Sequence, residues 1–168
     1  MRNSNYFRTF AKKNKNMQVF IVGSPIETAM ALDKKRLNKQ IIETRQIIDA
    51  ICGKKAWANH PCTIQYKEYK DWLFYYLMTI ENYYWHAYKK DVPKPNDFFK
   101  HANAWNDRAI TSTPKFHTKE YFDQMKRRLF EKDEVHYKQW SHLGKSDINW
   151  YWSPSEGKFI KYRNGKKI

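Results

Sequence analysis

Four polar residues, Arg36, Lys39, Gln40 and Glu43, recur at helical spacing in the first third of the chain. We call them the tetrad. At about 100° per residue they share one face, which lies on the flank of an apolar stripe and not opposite it. Charged groups turned toward packed neighbours are costly unless they are paired. The tetrad therefore forms either a ladder of ion pairs at the edge of the core or the lining of a cleft.

The element that positions the tetrad is predicted to be one helix from Ser24 to Cys52. Serine as the N-cap, Pro25 at the first helical position and Glu27 at the third form a capping box. Gly53 stands where a left-handed residue ends a helix. The apolar stripe of this helix consists of Ile26, Met30, Leu37, Ile41, Ile48 and Ile51.

Three more helices are expected downstream. Aromatic and aliphatic residues at helical spacing predict a second helix over residues 61–89. Three prolines indicate a long loop over residues 91–116, with one helical turn near residues 98–105. A third helix is predicted over residues 118–131 and a short fourth over residues 134–140. Because strand signals are weak, the predicted fold class is all-α, a single compact domain of about four helices with long loops.

The charge balance indicates a polyanionic partner. The 168 residues contain 32 Lys plus Arg against 17 Asp plus Glu, a formal net charge of +15. Aromatic residues make up 17% of the chain, and rings interleaved with cations suit phosphate contact with base stacking. We expect a flexible basic arm over residues 1–16 and one helical domain over residues 17–168 that ends in an aromatic, basic tail.

Other classes of protein fit the sequence less well. Two cysteines do not make a disulfide framework, and no apolar run is long enough for a membrane span or a signal peptide. An intracellular, cytoplasmic protein is expected. The spacing of Cys52, His60 and Cys62 matches no common zinc pattern, so we expect no metal and no cofactor.

Several motifs resemble those of the pyrimidine-dimer DNA glycosylase family, whose best-known members are the phage endonuclease V enzymes. The downstream motifs look like the closing segment of the bacterial branch of that family. The resemblance implies an endonuclease V-like helical fold. The motifs are Met17–Phe20, Leu32–Gln40, Glu43, Gln46–Ile47 and Trp57–Pro61, followed by Arg127–Leu129, Lys132–Asp133, His136–Tyr137, Trp140 and Tyr151–Pro154.

The resemblance also implies an activity. Such an enzyme binds damaged duplex DNA, cleaves a glycosidic bond and nicks the backbone by AP-lyase chemistry, in which an amine attacks C1′ to form a Schiff base. Glu43 resembles the glutamate that stabilises the sugar cation. Arg36 and Lys39 would contact phosphate or keep that carboxylate ionised, and Gln40 would position the sugar or a water. The other residues expected to bind DNA are Asn59, His60, Lys126, Arg127, Arg128, His136, Trp150, Trp152 and Lys161. For Asn59 and His60, helix capping is an equal alternative.

The identity of the amine stays open. The family's nucleophile is an N-terminal amine, whose ordinary pKa of about 7.7–8.0 leaves it far less protonated near neutral pH than lysine at about 10.4. Met17 occupies the corresponding position, but sixteen residues precede it. Either synthesis starts at Met17, or the arm is removed, or another amine such as Lys39 serves, or the lyase step is lost.

Three functions compete at this stage. The leading one is a DNA glycosylase, with or without AP-lyase activity, acting on damaged or modified pyrimidines in double-stranded DNA with no obligate protein partner. The alternative is a non-catalytic DNA-binding or virion-associated protein on the same scaffold. An RNA-binding module is a weaker third, because no RNA-recognition motif is visible.

Overall fold

The first predicted helix is divided in two. The structure is a computed structural model that describes residues 17–89 and 112–168. Helix α1, Pro25–Ala31, begins at the predicted capping box, in which the Ser24 hydroxyl accepts from the Glu27 N–H and the Glu27 carboxylate accepts from the Ser24 N–H. This part of the prediction is confirmed. The predicted arm and the helical turn near residues 98–105 lie outside the described residues.

Asp33 is the reason for the division. Its carboxylate accepts from the Arg36 N–H at 3.0 Å and caps a second helix, α2, Lys34–Ile51. The chain is extended at Leu32, so one continuous helix from residue 24 to residue 52 was the wrong prediction. The break turns α1 relative to α2. Ile26 and Met30 are consequently 47% and 65% exposed and do not continue the apolar stripe of α2.

The second predicted helix is also interrupted. It consists of α3, Pro61–Tyr66, a 3₁₀ turn over Lys67–Tyr69, and α4, Lys70–Tyr88. The aromatic face of α4 is confirmed as core, since Trp72, Tyr76 and Tyr84 are among its buried residues, and α4 packs on α1 and α2. None of the helices described here is long and apolar enough to cross a membrane.

Helix α5, Lys119–Lys132, matches the third predicted helix to within one residue at each end. Thr118 caps it by accepting from the Tyr121 N–H, and Tyr121, Met125 and Leu129 are fully buried. The fourth predicted helix was wrong. A turn and then a 3₁₀ helix, Lys138–Leu143, stand there instead.

An antiparallel sheet overturns the all-α prediction. Its strands are β1, Ile148–Ser153, β2, Lys158–Arg163, and β3, Lys166–Lys167, in the order β1-β2-β3. Asn164 and Gly165 join β2 to β3, both with positive φ, as a two-residue hairpin turn requires. The tail predicted to be helical or irregular is therefore a sheet, and β1 packs it on α3 and α5.

Residues 17–22, which we call the core segment, run without regular secondary structure through the middle of the fold, and none of them is more than 8% exposed. A buried segment that is paired with no strand needs other partners for its peptide groups. Tyr151 on β1 donates to the Met17 carbonyl at 2.8 Å, and Tyr76 on α4 donates to the Phe20 carbonyl at 3.3 Å. The core segment thereby joins the sheet to the helices.

Candidate functional site

Gln40 is the tetrad residue that binds the core segment. It is 1% exposed, its amide nitrogen donates to the Gln18 carbonyl at 2.8 Å, and its amide oxygen accepts from the Phe20 N–H at 2.9 Å. One side chain therefore bonds to both an N–H and a carbonyl of the core segment backbone. This holds the core segment against α2 at the level of the tetrad.

Glu43, one turn further along α2, is a buried carboxyl group. It is 6% exposed, and its carboxylate oxygens lie 3.3 Å from the amide nitrogen of Gln40 and 3.4 Å from Nζ of Lys39. Burial raises the pKa of Glu43 to about 7, although the charges of Lys39 and Lys132 and the backbone N–H of Gln18 favour the ionised form. Near neutral pH this group can hold or release a proton.

This pKa predicts a pH-dependent stability. The pKa of the Glu43 carboxyl is near 4.5 in the unfolded chain and near 7 in the folded protein. Below pH 4.5 the group is protonated in both states, so it does not lower the free energy of unfolding. Its ionisation then opposes folding increasingly up to pH 7, by on the order of 3 kcal/mol in full. Urea unfolding should show Glu43→Gln gaining stability relative to the wild type between pH 4.5 and pH 8. A difference that is constant over that interval would contradict the assignment.

Arg36 is held by acidic partners. Its guanidinium lies 2.6 Å from the Asp33 carboxylate and 3.6 Å from the Asp133 carboxylate, and 5.5 Å from the ring centroid of Tyr137. The buried Tyr137 hydroxyl donates to the same Asp33 carboxylate at 2.7 Å. This network ties the start of α2 to the turn after α5.

The tetrad also borders a cleft of about 410 Å³. Both interpretations of the tetrad thus apply, since Arg36 and the Lys39–Glu43 pair form ion pairs while three of the four side chains line the cleft. Glu43 lies behind this wall, in contact with Gln40 and Lys39. The lining combines four cations with one carboxylate, and a phosphate diester would meet a favourable field there. The lining residues are Phe20, Lys35, Arg36, Lys39, Gln40, Glu131 and Lys132.

Met17, the predicted position of an N-terminal nucleophile, is 1% exposed and begins the core segment. The next residue, Gln18, has its backbone N–H facing Glu43 and its side-chain amide donating to the Trp150 carbonyl at 3.1 Å. Met17 therefore directly precedes the residue whose backbone N–H faces the Glu43 carboxyl group. In the 168-residue chain, however, the nitrogen of Met17 is part of a peptide bond with Asn16.

His60 caps helix α3. Its Nδ1 accepts from the Cys62 N–H at 3.1 Å, and burial lowers the pKa of His60 to about 4. The ring is thus neutral near pH 7, with edge contacts to Trp57 and Tyr151. For His60 the structure therefore shows the helix-capping role. Asn59 beside it is exposed.

The basic residues predicted on α5 differ in their surroundings. Arg128 is 5% exposed and donates to the side chain of Asn149 and the carbonyl of Ser146, so it fastens β1 to α5. Lys126 pairs with Asp123 at 3.6 Å, and Arg127 is exposed. His136, also exposed, follows the helix. Arg127 and His136 are the two that leave their side chains open to a partner.

The aromatic residues of the tail lie on the sheet. Trp150 and Trp152 are half-buried on β1 against the core. Nζ of Lys161, which faces Trp150 across the β1–β2 ladder, lies 4.7 Å from the centroid of that ring. A ring already covered by a cation has less of its face available for stacking on a base.

Sequence reasoning gave Lys132 no role, although the residue stood within a quoted motif. Lys132 is the last residue of α5, and it lines the cleft about ninety positions after the tetrad. Only the packing of the end of α5 beside α2 brings it there. The Lys132–Asp133 motif was the signal in the sequence that could have placed this end of α5 beside the tetrad, because Asp133 forms an ion pair with Arg36.

Taken together, these elements define a basic, mostly helical protein with a buried carboxyl group beside a cationic cleft. Residues 17–90 match the family model described as pyrimidine dimer DNA glycosylase. The match contains helices α1 to α4 and the whole tetrad, and it confirms the resemblance in this part of the sequence. Over these residues, which make up less than half of the chain, the sequence is similar to the pyrimidine dimer DNA glycosylase family.

The matched family is one of DNA glycosylases, so the match supports a DNA glycosylase function at the level of the family, with DNA as the substrate. The motifs quoted from α5 and the tail lie beyond the matched residues, so their likeness stays a prediction. Comparison with curated proteins and with solved structures finds no match. In residues 17–89 and 112–168, no group of three or more His, Cys, Asp and Glu side chains could hold a metal ion.

Proposed function

We propose that this protein is a DNA glycosylase that removes a damaged or modified pyrimidine from duplex DNA, with Glu43 assisting the cleavage. The observation that carries the proposal is the buried carboxyl group of Glu43 directly behind a cleft that is lined by cations. The match to the family model supports the reaction class, because the matched residues include this glutamate.

Glu43 supplies the electrostatic part of the reaction. Breaking a glycosidic bond develops positive charge on the sugar, and an ionised carboxylate in a site shielded from water stabilises that charge strongly. Because the pKa of Glu43 is raised to about 7, the group can also transfer a proton near neutral pH. The amide of Gln40 and the ammonium of Lys39 fix its orientation.

The cleft supplies the contact with DNA. Lys35, Arg36, Lys39 and Lys132 place cationic side chains around one cavity, and contacts between such side chains and phosphates supply much of the affinity of DNA-binding proteins. Arg36 is pre-oriented by its two carboxylate partners, so little side-chain freedom is lost on binding. A base in a duplex must also leave the stack before C1′ can be reached.

A lyase step is part of the proposal. It requires an amine beside the carboxyl group, and the nitrogen of Met17 would meet that requirement in a chain that begins at Met17. Nζ of Lys39 lies 3.4 Å from the Glu43 carboxylate, so Lys39 would have to leave this ion pair before it could attack C1′.

An ultraviolet-irradiated plasmid tests the proposed function. Incubation with the protein should leave alkali-labile sites in the irradiated plasmid and none in an undamaged one, and nicks that form without alkali would report the lyase step. If the protein binds both plasmids but breaks no glycosidic bond in dimer-containing or other modified DNA, the non-catalytic DNA-binding alternative is correct and the proposal is wrong.

A further inference from the structure

Val135 is the most exposed of the large apolar side chains in the described ranges. It is 91% exposed, and the next two, Met30 and Ile168, are 65% and 60% exposed. A single exposed apolar residue is common on protein surfaces, and it indicates a role only where its position supplies a reason. The position of Val135 supplies one, because this residue lies in the turn over residues 134–137 that follows helix α5.

This turn leaves directly from the wall of the cleft. Glu131 and Lys132, the last two residues of α5, line the cleft, and Val135 comes three positions after Lys132. Three residues span at most about 11 Å, which equals about three base-pair steps of duplex DNA at about 3.4 Å each. A duplex whose phosphates contact the cleft would therefore meet the turn within a few base pairs.

The turn is held in place by hydrogen bonds on both sides of Val135. The carboxylate of Asp133 accepts from the His136 N–H at 3.0 Å, and the Asp133 carbonyl accepts from the Tyr137 N–H at 3.1 Å. The buried Tyr137 hydroxyl donates to the Asp33 carboxylate at the start of α2. The β-branched side chain of valine also has few rotamers. Val135 is therefore presented at a fixed place, and little conformational freedom is lost when it contacts a partner.

The charges around the turn are compatible with a polyanion. Its two carboxylates are each paired with a cation, since Asp133 lies 3.6 Å from the guanidinium of Arg36 and Glu134 pairs with Lys145. Lys138, which follows the turn, is exposed. Proteins that kink duplex DNA frequently insert an aliphatic side chain between base steps, beside cations that contact phosphate. The turn combines these two features at the edge of the cleft.

We propose that Val135 is a wedge that enters the base stack next to the damaged nucleotide and occupies the space that this nucleotide leaves. This inference rests on the proposed function and adds to it a residue that distorts the duplex. A base must leave the stack before C1′ can be reached, and an apolar side chain in the gap shields the neighbouring base faces from water. Trp150 and Trp152, the rings predicted to stack on bases, are half-buried against the core and are less available for this task.

Excision from paired and unpaired DNA tests the wedge. One substrate is a duplex with a single pyrimidine dimer, and the other carries the same dimer in an unpaired bubble, where the base has no pairing to lose. In single-turnover assays, Val135→Ala should slow excision from the duplex by about 10-fold and leave excision from the bubble within about two-fold of the wild type. Its unfolding midpoint should stay unchanged, because the side chain is 91% exposed. The control Ile64→Ala changes an exposed aliphatic residue on α3, outside the cleft lining, and should match the wild type on both substrates.

A second measurement does not depend on cleavage. 2-Aminopurine placed next to the dimer becomes brighter when its stack opens, so binding of the wild type to the duplex should raise its fluorescence and binding of Val135→Ala should raise it less. Undiminished excision from the duplex by Val135→Ala, equal slowing on duplex and bubble, or equal fluorescence with the two proteins would overturn the wedge. Failure of the proposed function has a different signature, since the wild type would then cleave neither substrate while the fluorescence still reported on Val135.

Discussion

Replacing Glu43 with glutamine should slow base excision by at least about 100-fold while leaving the affinity for duplex DNA within a few-fold of the wild type. The amide has nearly the same shape and can remain beside Gln40 and Lys39, but it carries no charge and transfers no proton. DNA binding should survive because the cations of the cleft are unchanged. Single-turnover excision from a dimer-containing duplex and a binding titration at fixed salt measure the two effects.

A control with the same chemical change is available on the surface. Glu120→Gln alters an exposed carboxylate in the first turn of α5, outside the cleft lining, and should excise at the wild-type rate. If Glu43→Gln retained full excision, the carboxyl group would have no part in the reaction. If both variants lost binding to the same extent, net charge and not the site would explain the effect.

Replacing Gln40 with methionine should lower the free energy of unfolding by roughly 2–5 kcal/mol, because two buried backbone groups lose their partners. These groups are the Phe20 N–H and the Gln18 carbonyl, at 2.9 and 2.8 Å from the Gln40 amide. Methionine fills a similar volume without hydrogen bonding to either. Excision should also fall, since the core segment would no longer be held beside Glu43. Urea unfolding and the excision assay measure these two effects.

Gln46→Met is the matched control on the same helix. Gln46 is only half-buried and makes no hydrogen bond to the core segment of the kind that Gln40 makes, so the same substitution should cost less than about 1 kcal/mol there. Equal destabilisation by the two variants would mean that helix α2, and not the core segment, is what the change at Gln40 disturbs.

Local signals in the sequence were sufficient for several elements. The capping box at Ser24 and Glu27 set the start of α1, and the spacing of apolar residues gave α5 to within one residue. The position of the tetrad on the flank of the stripe predicted the burial of Gln40 and Glu43, which are 1% and 6% exposed. Helical period and capping depend only on neighbours along the chain, which is why they could be predicted.

Other elements depended on weak or competing signals. Asp33 reads as an ordinary polar residue within a helical pattern, yet its carboxylate begins a new helix, so the break before α2 was missed. In β1, residues on both faces are at least half-buried, so the alternation typical of a surface strand is faint. Asn164 followed by Gly165 is the strongest hairpin signal in the tail, and the all-α prediction took no account of it.

The cleft shows which part of the candidate site could be predicted from the sequence and which part could not. Its wall on α2 could be predicted because Arg36, Lys39 and Gln40 lie within two turns of one helix. Its opposite wall, Glu131 and Lys132, comes from the end of α5 and depends on how two helices distant in sequence pack. Helical spacing carries no information on such a contact, so the place of Lys132 in the cleft lining could be recognised only from the structure.

The central claim is that this chain cleaves a glycosidic bond with the help of Glu43. The most direct measurement is single-turnover excision from a duplex with one site-specific pyrimidine dimer, with the product identified by mass spectrometry. Wild-type protein should generate a product with the glycosidic bond broken, and Glu43→Gln should bind the same duplex and generate essentially none. A duplex that stays intact under saturating wild-type protein, or equal cleavage by the two proteins, would contradict the claim.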